Sequence, residues 1–326
     1  MKKLLKFILS MIILTVLFAC QKEKAPVTVI SHKGWITYNQ SNGLAGNFVN
    51  SIAFDKNGNT WIGTNKGLSM FDGDKWTIYN SKNGLIDDYV YFVIVDKKGY
   101  IWVGTEDGIS KFDNISWTSY NRFILNLGVL VCAAVDSNNN KWFGAGYNGQ
   151  QVVKFDDTKW TIYKKDFNGF WGNLTYAIAV DAKNIKWILT DNGINSFDDS
   201  NWNWYIYVNY LGAQSITIDS HDNKFFGTSA GGVWKFDNLN WIYYGINHGL
   251  NIRPGYNSVR CAAIDLNGNQ WFSNGSGVAK LDSINWTIYS VKDGLADSLV
   301  NTIAIDKNNN KWFGTNYGVT KLENGY

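Results

Sequence analysis

One pattern returns seven times along the chain and limits its fold more than any other feature. Trp-x-Gly, or a close variant, recurs at intervals of 38 to 46 residues and begins at Trp61, Trp102, Trp142, Trp187, Phe225, Trp271 and Trp312. Trp-x-x-Tyr also occurs seven times, beginning at Trp35, Trp76, Trp117, Trp160, Trp204, Trp241 and Trp286. The chain is therefore an array of seven similar units.

Each unit reads as four short β-strands. In the first unit, the apolar segment 50–55 is followed by a turn, by "TWIGT", by "LSMFD" and by "KWTIY". Asn, Asp and Gly occupy the intervening turns, as tight hairpins require. Four strands in a period of about 40 residues are typical of a propeller blade. We predict an all-β fold, a seven-bladed β-propeller with four antiparallel strands per blade.

The last unit lacks its fourth strand. "DKNNNKWFGTNYGVTKL" at 306–322 parallels 55–71, but no "WTIY" follows it. An unassigned "WITY" at 35–38 precedes the first complete unit. We predict that this N-terminal strand completes the last blade, which closes the ring and leaves no open edge between the first and last blades.

The innermost strands carry large apolar residues on one face and mostly small ones on the other. This alternation predicts blades that pack face to face, with both sides of each sheet buried. Cys132 and Cys261 occupy equivalent places in blades three and six. Because these blades lie across the ring from each other, we predict two buried core thiols rather than a disulfide.

Residues 1–19 read as a secretory signal. Lysines at positions 2, 3 and 6 precede an apolar run that is too short to span a bilayer. "LFAC" resembles a bacterial lipobox, which implies cleavage before Cys20 and a lipid on that cysteine. The alternative is an ordinary signal peptide with a chance cysteine. The expected organisation is a lipoprotein signal peptide at 1–19, a polar tether at 20–32 and the propeller at 33–326.

Charge and the residues after Cys20 bear on location and partners. Removing the three lysines of 1–19 leaves 27 basic residues against 27 acidic ones, which gives no electrostatic footprint for nucleic acid. "QKEK" at 21–24 resembles the export signal of surface lipoproteins in the Bacteroidota. We expect an outer-membrane lipoprotein that faces the periplasm or the cell surface. We also expect a monomer that touches the membrane only through its lipid.

The phrase "DKNGNTWIGTNKGL" at 55–68, echoed at 306–319, looks like the two-component regulator propeller repeat. The resemblance covers 33–326. In that family the repeat builds periplasmic sensors of hybrid two-component systems, in which two seven-bladed propellers precede an immunoglobulin-like domain, a membrane helix and a kinase. The resemblance implies the propeller fold and a sensory role. With one propeller and no kinase in this sequence, we expect no signalling through a built-in kinase.

The turns "DKNGN", "DSNNN", "DLNGN" and "DKNNN" resemble calcium loops, but no Glu follows at the proper distance. Hairpin turns need the same residues, so we interpret them as structural. His32, His221 and His248 are scattered and form no metal set. We therefore expect no metal and no cofactor.

Thirteen of the 16 tryptophans fall on the two repeated patterns, which indicates packing rather than ligand stacking. The exceptions are Trp171, Trp202 and Trp234. Trp171 lies in "FNGFWGNLTY", one of the variable loops that join an outer strand to the next inner strand. In propellers these loops surround the mouth of the central channel and usually carry function.

A candidate site follows from these loops and from the residue five positions before each inner-strand Asp. Its aromatic and cationic residues would suit an acidic or sugar ligand. The ligand-binding candidates are Tyr91, Tyr147, Phe170, Trp171, Tyr176, Arg253, Tyr256 and Arg260. The alternative is that these are ordinary exposed loop residues.

Two functions remain open at this point. The preferred hypothesis is a non-catalytic module that binds a glycan, peptide or protein partner at the loop face. The alternative is a hydrolase or lyase with the architecture of the streptogramin lyases, a family that uses a catalytic His and a divalent metal. Such a site would have to use carboxylates at the channel mouth, and the candidates are Asp87, Asp88, Glu106, Asp107 and Asp191.

Overall fold

The strands of the protein form seven separate sheets. A computed structural model describes residues 30–147, 149, 151–164, 170–205, 212–229, 231–245, 248–250 and 258–326. Within them the only α-helix is α1 (Arg122–Leu125), and 3-10 turns span Gln40–Asn42 and Val291–Asp293. In the described part of the chain, no helix is both long and apolar enough to cross a bilayer.

Blades one to six each contain four antiparallel strands that follow one another in sequence. Blade one consists of β3 (Val49–Phe54), β4 (Thr60–Thr64), β5 (Gly67–Phe71) and β6 (Trp76–Tyr79). Blade two consists of β7 (Val90–Val95), β8 (Ile101–Thr105), β9 (Gly108–Phe112) and β10 (Trp117–Asn121). Blade three consists of β11 (Val129–Val135), β12 (Lys141–Tyr147), β13 (Gln151–Phe155) and β14 (Trp160–Lys164). Blade four consists of β15 (Thr175–Val180), β16 (Lys186–Thr190), β17 (Gly193–Phe197) and β18 (Trp202–Tyr205). Blade five consists of β19 (Ala213–Ile218), β20 (Lys224–Thr228), β21 (Gly232–Phe236) and β22 (Trp241–Tyr244). Blade six consists of β23 (Ala262–Ile264), β24 (Gln270–Ser273), β25 (Val278–Asp282) and β26 (Asn285–Tyr289).

Blade seven joins the two ends of the chain. It consists of β27 (Val300–Ile305), β28 (Lys311–Thr315), β29 (Gly318–Leu322), β2 (Trp35–Tyr38) and β1 (Ile30–His32). Trp35 pairs with Leu322 and Tyr38 with Val319, as the closure prediction requires. The fifth strand is a departure, because residues 30–32 were expected in the tether and instead pair with β2.

The first strand of each blade lies innermost. Each inner strand contacts the inner strand of the next blade, and β27 contacts β3 to complete the circle. The predicted all-β, seven-bladed propeller with four antiparallel strands per blade is therefore confirmed, with β1 as an addition to the last blade.

Burial is most complete in the second strands of the blades. Every residue of the second strands β4, β8, β16, β20 and β28 is buried. The inner strands are only partly buried; β3 and β27 bury one residue in three. Complete burial of both faces thus belongs to the second strands, which lie between the inner and the third strands of their blades.

The Asp-Asn turns are closed by their own side chains. Oδ2 of Asp55 accepts the indole N–H of Trp61 at 2.9 Å and the amide of Asn59 at 2.7 Å. Its Oδ1 accepts the backbone N–H groups of residues 57 and 59. The same indole-to-carboxylate bond joins Trp102, Trp142, Trp187, Trp271 and Trp312 to the Asp six residues earlier. Such saturated carboxylates support the structural interpretation of the turns.

Four lysines are buried where the second strands begin, which the sequence did not reveal. They are Lys141, Lys186, Lys224 and Lys311. Each ammonium lies over the Trp-x-Gly tryptophan of the preceding blade, at 5.0 to 5.6 Å from the ring centroid. Lys141, Lys224 and Lys311 also form ion pairs with the turn Asp of that blade. These lysines link neighbouring blades.

The register of blade four corrects the tryptophan assignment. Trp202 pairs with Phe197, as Trp76 does with Phe71, and the two rings stack at 4.5 Å. Tyr205 stacks on Trp187. The repeated Trp-x-x-Tyr of this blade is therefore 202–205, not 204–207. Trp204 is the additional tryptophan, and it is 37% exposed.

Cys132 and Cys261 are free thiols, as expected. Cys261 is buried, whereas Cys132 is half-buried. Burial raises the pKa of both thiols to about 12.

Candidate functional site

A β-bulge interrupts the inner strand at the same place in six blades. In β3 the pairing passes from Val49 to Ser51 and leaves Asn50 without a cross-strand partner. Equivalent shifts occur around Tyr91, Val131, Tyr176, Gln214 and Asn301. These are the residues five positions before each Asp. Bulges re-aim a side chain out of the ladder, and here they do so at the loop end of the inner strands.

Several of these bulged side chains span adjacent blades. The amide of Asn50 donates to the carbonyl of Val90 at 2.8 Å, and that of Asn301 donates to the carbonyl of Val49 at 3.2 Å. The hydroxyl of Ser258 donates to Oε1 of Gln214. Three members of the ring expected from sequence, Asn50, Gln214 and Asn301, therefore form inter-blade contacts.

Two candidate residues come together at a cavity of about 230 Å³, called the mouth cavity below. Tyr91 of blade two and Tyr176 of blade four contribute their bulged side chains, and blade three lies between them. The lining is Tyr91, Val131, Gly146, Leu174, Thr175 and Tyr176. Leu174, Thr175 and Gly146 were not anticipated, because their small or apolar side chains carry no signal of binding.

Glu106 is positioned beside this cavity. The hydroxyl of Tyr91 donates to Oε2 of Glu106 at 2.6 Å. Nη2 of Arg122, at the start of α1, lies 3.8 Å from Oε1 of Glu106, and its Nε donates to the backbone carbonyl of the same residue. The arrangement holds one carboxylate near the mouth in a defined orientation.

Asp87, Asp88 and Asp191 accept hydrogen bonds from residues of the loops. Asp191 accepts the side chain of Asn173 at 2.9 Å and two backbone N–H groups. Burial opposes ionisation of Asp191, but these hydrogen bonds outweigh it and lower the pKa. Asp87 and Asp88 accept backbone N–H groups of Tyr89 and Ser81. These contacts are typical of structural turn residues rather than of a paired acid and base.

Phe170, one of the ligand-binding candidates, is buried. Its side chain is 1% exposed and packs on Trp202. Leu44, Leu85 and Leu295 are buried in the corresponding loops, each after a Gly. The repeated Gly-Leu before the inner strand, present here as Gly-Phe, is the signal that would have identified Phe170 as a packing residue.

Trp171 is exposed and held in place. Its ring is 44% exposed and stacks on Trp204, with centroids 5.8 Å apart. Asn195, which is fully buried, accepts the backbone N–H of Trp171 and donates to its carbonyl. The hydroxyls of Ser69, Ser110 and Thr320 likewise accept a backbone N–H from the equivalent loops. Trp171 does not line the mouth cavity, so the loop face carries two separate aromatic features.

The remaining candidates are only partly described. Arg260 is exposed, and its backbone N–H donates to Ser273. Arg253 and Tyr256 lie outside the described residues, as does the side chain of Tyr147, whose backbone ends β12.

The histidines are not grouped. His221 lies in an Asp turn, on the opposite face from the loops, and His248 packs edge-on against Tyr243 and Tyr244. The side chain of His32 is not described. Across the described ranges, no three His, Cys, Asp or Glu side chains are grouped to hold a metal ion.

These features define a repeat propeller with a loop face, and comparison with known proteins identifies its repeats. The sequence profile of the two component regulator propeller family matches residues 43–66 and 84–107. The chain therefore carries two component regulator propeller repeats on a seven-bladed propeller. No match was found among curated proteins.

Solved structures share the architecture at low sequence identity. The extracellular domain of BT3049 of B. thetaiotaomicron, assigned to a hybrid two component system, has a TM-score of 0.75 at 19% identity, over 89% of this chain and 42% of that chain. That of BT4673, assigned to a one component system, gives 0.71 at 18%, over 90% and 40%. Virginiamycin B lyase from Staphylococcus aureus gives 0.73 at 17%, over 89% and 98%. At these identities the likeness establishes the fold alone. The chain spans about two fifths of the first two proteins.

Proposed function

We propose that this protein is a non-catalytic, sensory or recruiting propeller that binds a glycan, peptide or protein partner at its loop face. The mouth cavity carries the proposal, since bulges in the inner strands aim Tyr91 and Tyr176 at one recess across three blades. Tyr176 is 39% exposed there, so a ligand would bury aromatic surface that the fold leaves open.

Three further observations support binding over catalysis. The carboxylates near the mouth cavity are engaged in hydrogen bonds within the protein, Glu106 with Tyr91 and Asp191 with Asn173 and Leu174. The described histidines are apart. Two of the similar structures are extracellular domains of proteins assigned to signalling systems, which is consistent with a sensory module.

The location belongs to the same proposal. We propose that lipid on Cys20 holds the propeller outside the cytoplasm, on the outer membrane. Replacement of Cys20 by Ala should move the protein from the membrane to the soluble fraction and abolish metabolic labelling with a fatty acid. If the Cys20→Ala protein remains in the membrane, the lipid anchor is wrong.

Binding is tested with oligosaccharide and peptide arrays on the purified protein. Tyr176→Ala should weaken any ligand of the mouth cavity at least tenfold, because the ring supplies much of its exposed aromatic surface. Phe123→Ala, which removes a 65% exposed ring from α1 on the same face, is the control and should leave binding unchanged. Equal binding by both variants would place the ligand elsewhere.

A second candidate function is a hydrolase or lyase centred on Glu106. The 2.6 Å contact between Tyr91 and Glu106 favours it, as does the full-length likeness to virginiamycin B lyase. Turnover of an array compound that is lost in Glu106→Gln but retained in Asp88→Asn would establish this function and overturn the non-catalytic proposal.

A further inference from the structure

A second cavity, of about 350 Å³, lies on the loop face where the last blade meets the first. It is called the closure cavity here, and its lining is Gln40, Asn47, Phe48, Asn65, Lys66, Asn316 and Tyr317. None of these residues lines the mouth cavity. Small-molecule sites commonly have volumes of roughly 300–1,000 Å³, so the closure cavity suits a small ligand.

Two of the lining amides have their oxygen atoms engaged within the protein. Oδ1 of Asn47 accepts the backbone N–H of Gln40 at 2.7 Å. Oδ1 of Asn316 accepts Nδ2 of Asn301 at 2.9 Å. The orientation of Asn301 is set independently, because the same Nδ2 donates to the carbonyl of Val49. Asn47 and Asn316 therefore have their amino groups left to donate to a ligand.

Asn65 adds a third amide. Its Oδ1 is buried without a hydrogen-bond partner, and a Cβ at Gly46 would lie only 2.6 Å from that oxygen. The backbone of Gly46 thus covers the oxygen, and the amide can reach the cavity through Nδ2.

Lys66 adds a positive charge to these hydrogen-bond donors. Lys66 is exposed at the edge of the cavity, and the lining residues that the structure describes include no Asp or Glu. The ion pairs formed between described residues do not include Lys66. Three amide amino groups and one unpaired ammonium make a donor-rich recess with a single positive charge.

We propose that the closure cavity binds the carboxylate of a small organic molecule. A carboxylate carries one negative charge, which Lys66 balances, and two oxygen atoms that accept several hydrogen bonds in one plane. A phosphate monoester, with about −1.5 to −2 charges at neutral pH, would leave part of its charge unbalanced. Phe48 and the 67% exposed ring of Tyr317 provide an apolar contact for the rest of the molecule.

Two pairs of probes test the proposal by titration calorimetry. N-acetylphenylalanine is compared with its neutral amide, and glucuronate with glucose, so that an amino-acid source and an acidic-sugar source of the carboxylate are separated. At least one acid should bind saturably and its neutral counterpart at least tenfold more weakly. Added salt should weaken binding of the acid, because Lys66 is exposed.

Variants then assign the site. Lys66→Gln should weaken the acid at least tenfold, whereas Lys82→Gln, which removes an exposed lysine from another loop of the same face, should not. Both should unfold at the temperature of the parent protein. The proposal is overturned if neither acid binds at millimolar concentration, if acid and neutral probe bind equally, or if Lys66→Gln has no effect. Since Tyr176→Ala leaves this cavity intact, its result and this one are independent.

Discussion

The ammonium of Lys224 lies 3.4 Å from Oδ2 of Asp181 in the preceding blade, and both side chains are 1% exposed. Asp181 also accepts the indole N–H of Trp187, over whose ring the same ammonium lies. The turn of Asp181 has Ile185 where most blades have an Asn that binds the Asp. Lys224 thus supplies from the next blade a donor that the turn itself lacks.

Replacement of Lys224 by Met should lower the free energy of unfolding by about 3–5 kcal/mol, because it leaves a buried carboxylate without its cation. Urea unfolding followed by tryptophan fluorescence measures the change. Lys183→Met, at an exposed position of the same turn, is the control and should stay within about 0.5 kcal/mol of the parent protein. Similar losses in the two variants would show that the buried pair does not stabilise the blade contact.

The two tryptophans of β18 should differ in their effect on stability. Trp202 stacks on Phe197 and contacts Phe170, so Trp202→Ala should destabilise the protein by about 3–5 kcal/mol. Trp204 is 37% exposed, stacks on Trp171 and donates its indole N–H to the carbonyl of Asn192 in an exposed hydrogen bond, so Trp204→Ala should lose only about 1 kcal/mol. Thermal unfolding of the two variants compares them directly. If Trp204→Ala were the more destabilising variant, Trp204 rather than Trp202 would be the repeated tryptophan of blade four.

Closure of the ring predicts a long-range effect of the N-terminal strand. Deletion of residues 33–39 removes β2 and leaves the backbone groups of β29 without partners on one side. Hydrogen exchange of the amides of residues 318–322 should accelerate by at least a hundredfold. Amides of β17, in blade four, serve as the internal control and should change much less. Unchanged protection of β29 would contradict the pairing.

Cys261 predicts a pH dependence at the alkaline end. Burial raises the pKa of its thiol to about 12, whereas an unfolded thiol ionises near pH ~8.5. Below that pH both states are protonated and the stabilising contribution is complete. As the pH rises towards the folded value, the unfolded chain loses its proton first and the contribution is lost.

Between pH 9 and 10, the parent protein should therefore lose about 1 kcal/mol more stability than Cys261→Ala, as measured by urea unfolding at each pH. The native thiol should also resist alkylation at pH 8 in a peptide-mapping experiment, and react once the protein is unfolded. Equal pH slopes, or rapid alkylation of the native protein, would show that the thiol is accessible.

The fold was predictable because each repeat contains the residues that pack it against the neighbouring blades. Trp61 and its six counterparts recur because each blade needs one large ring between its neighbours, and "WITY" at 35–38 could only complete the unit that lacked it. The mouth cavity was predictable in part. Tyr91 and Tyr176 follow from their distance to the inner-strand Asp, whereas Phe170 was misplaced because its Gly-Phe differs from the Gly-Leu of other loops.

The sequence by itself determined the number of blades, the order of their strands and the joining of the two termini, since these depend on local periodicity and on which unit is incomplete. Only the tertiary structure decided which side chains meet across blades. Lys224 and Asp181 are 43 residues apart, and Asn47 and Asn316 lie near opposite ends of the chain, so no local pattern connects them. Lys224 forms an ion pair with Asp181, and Asn47 and Asn316 line one cavity, because closing the ring fixes the distance and angle between neighbouring sheets.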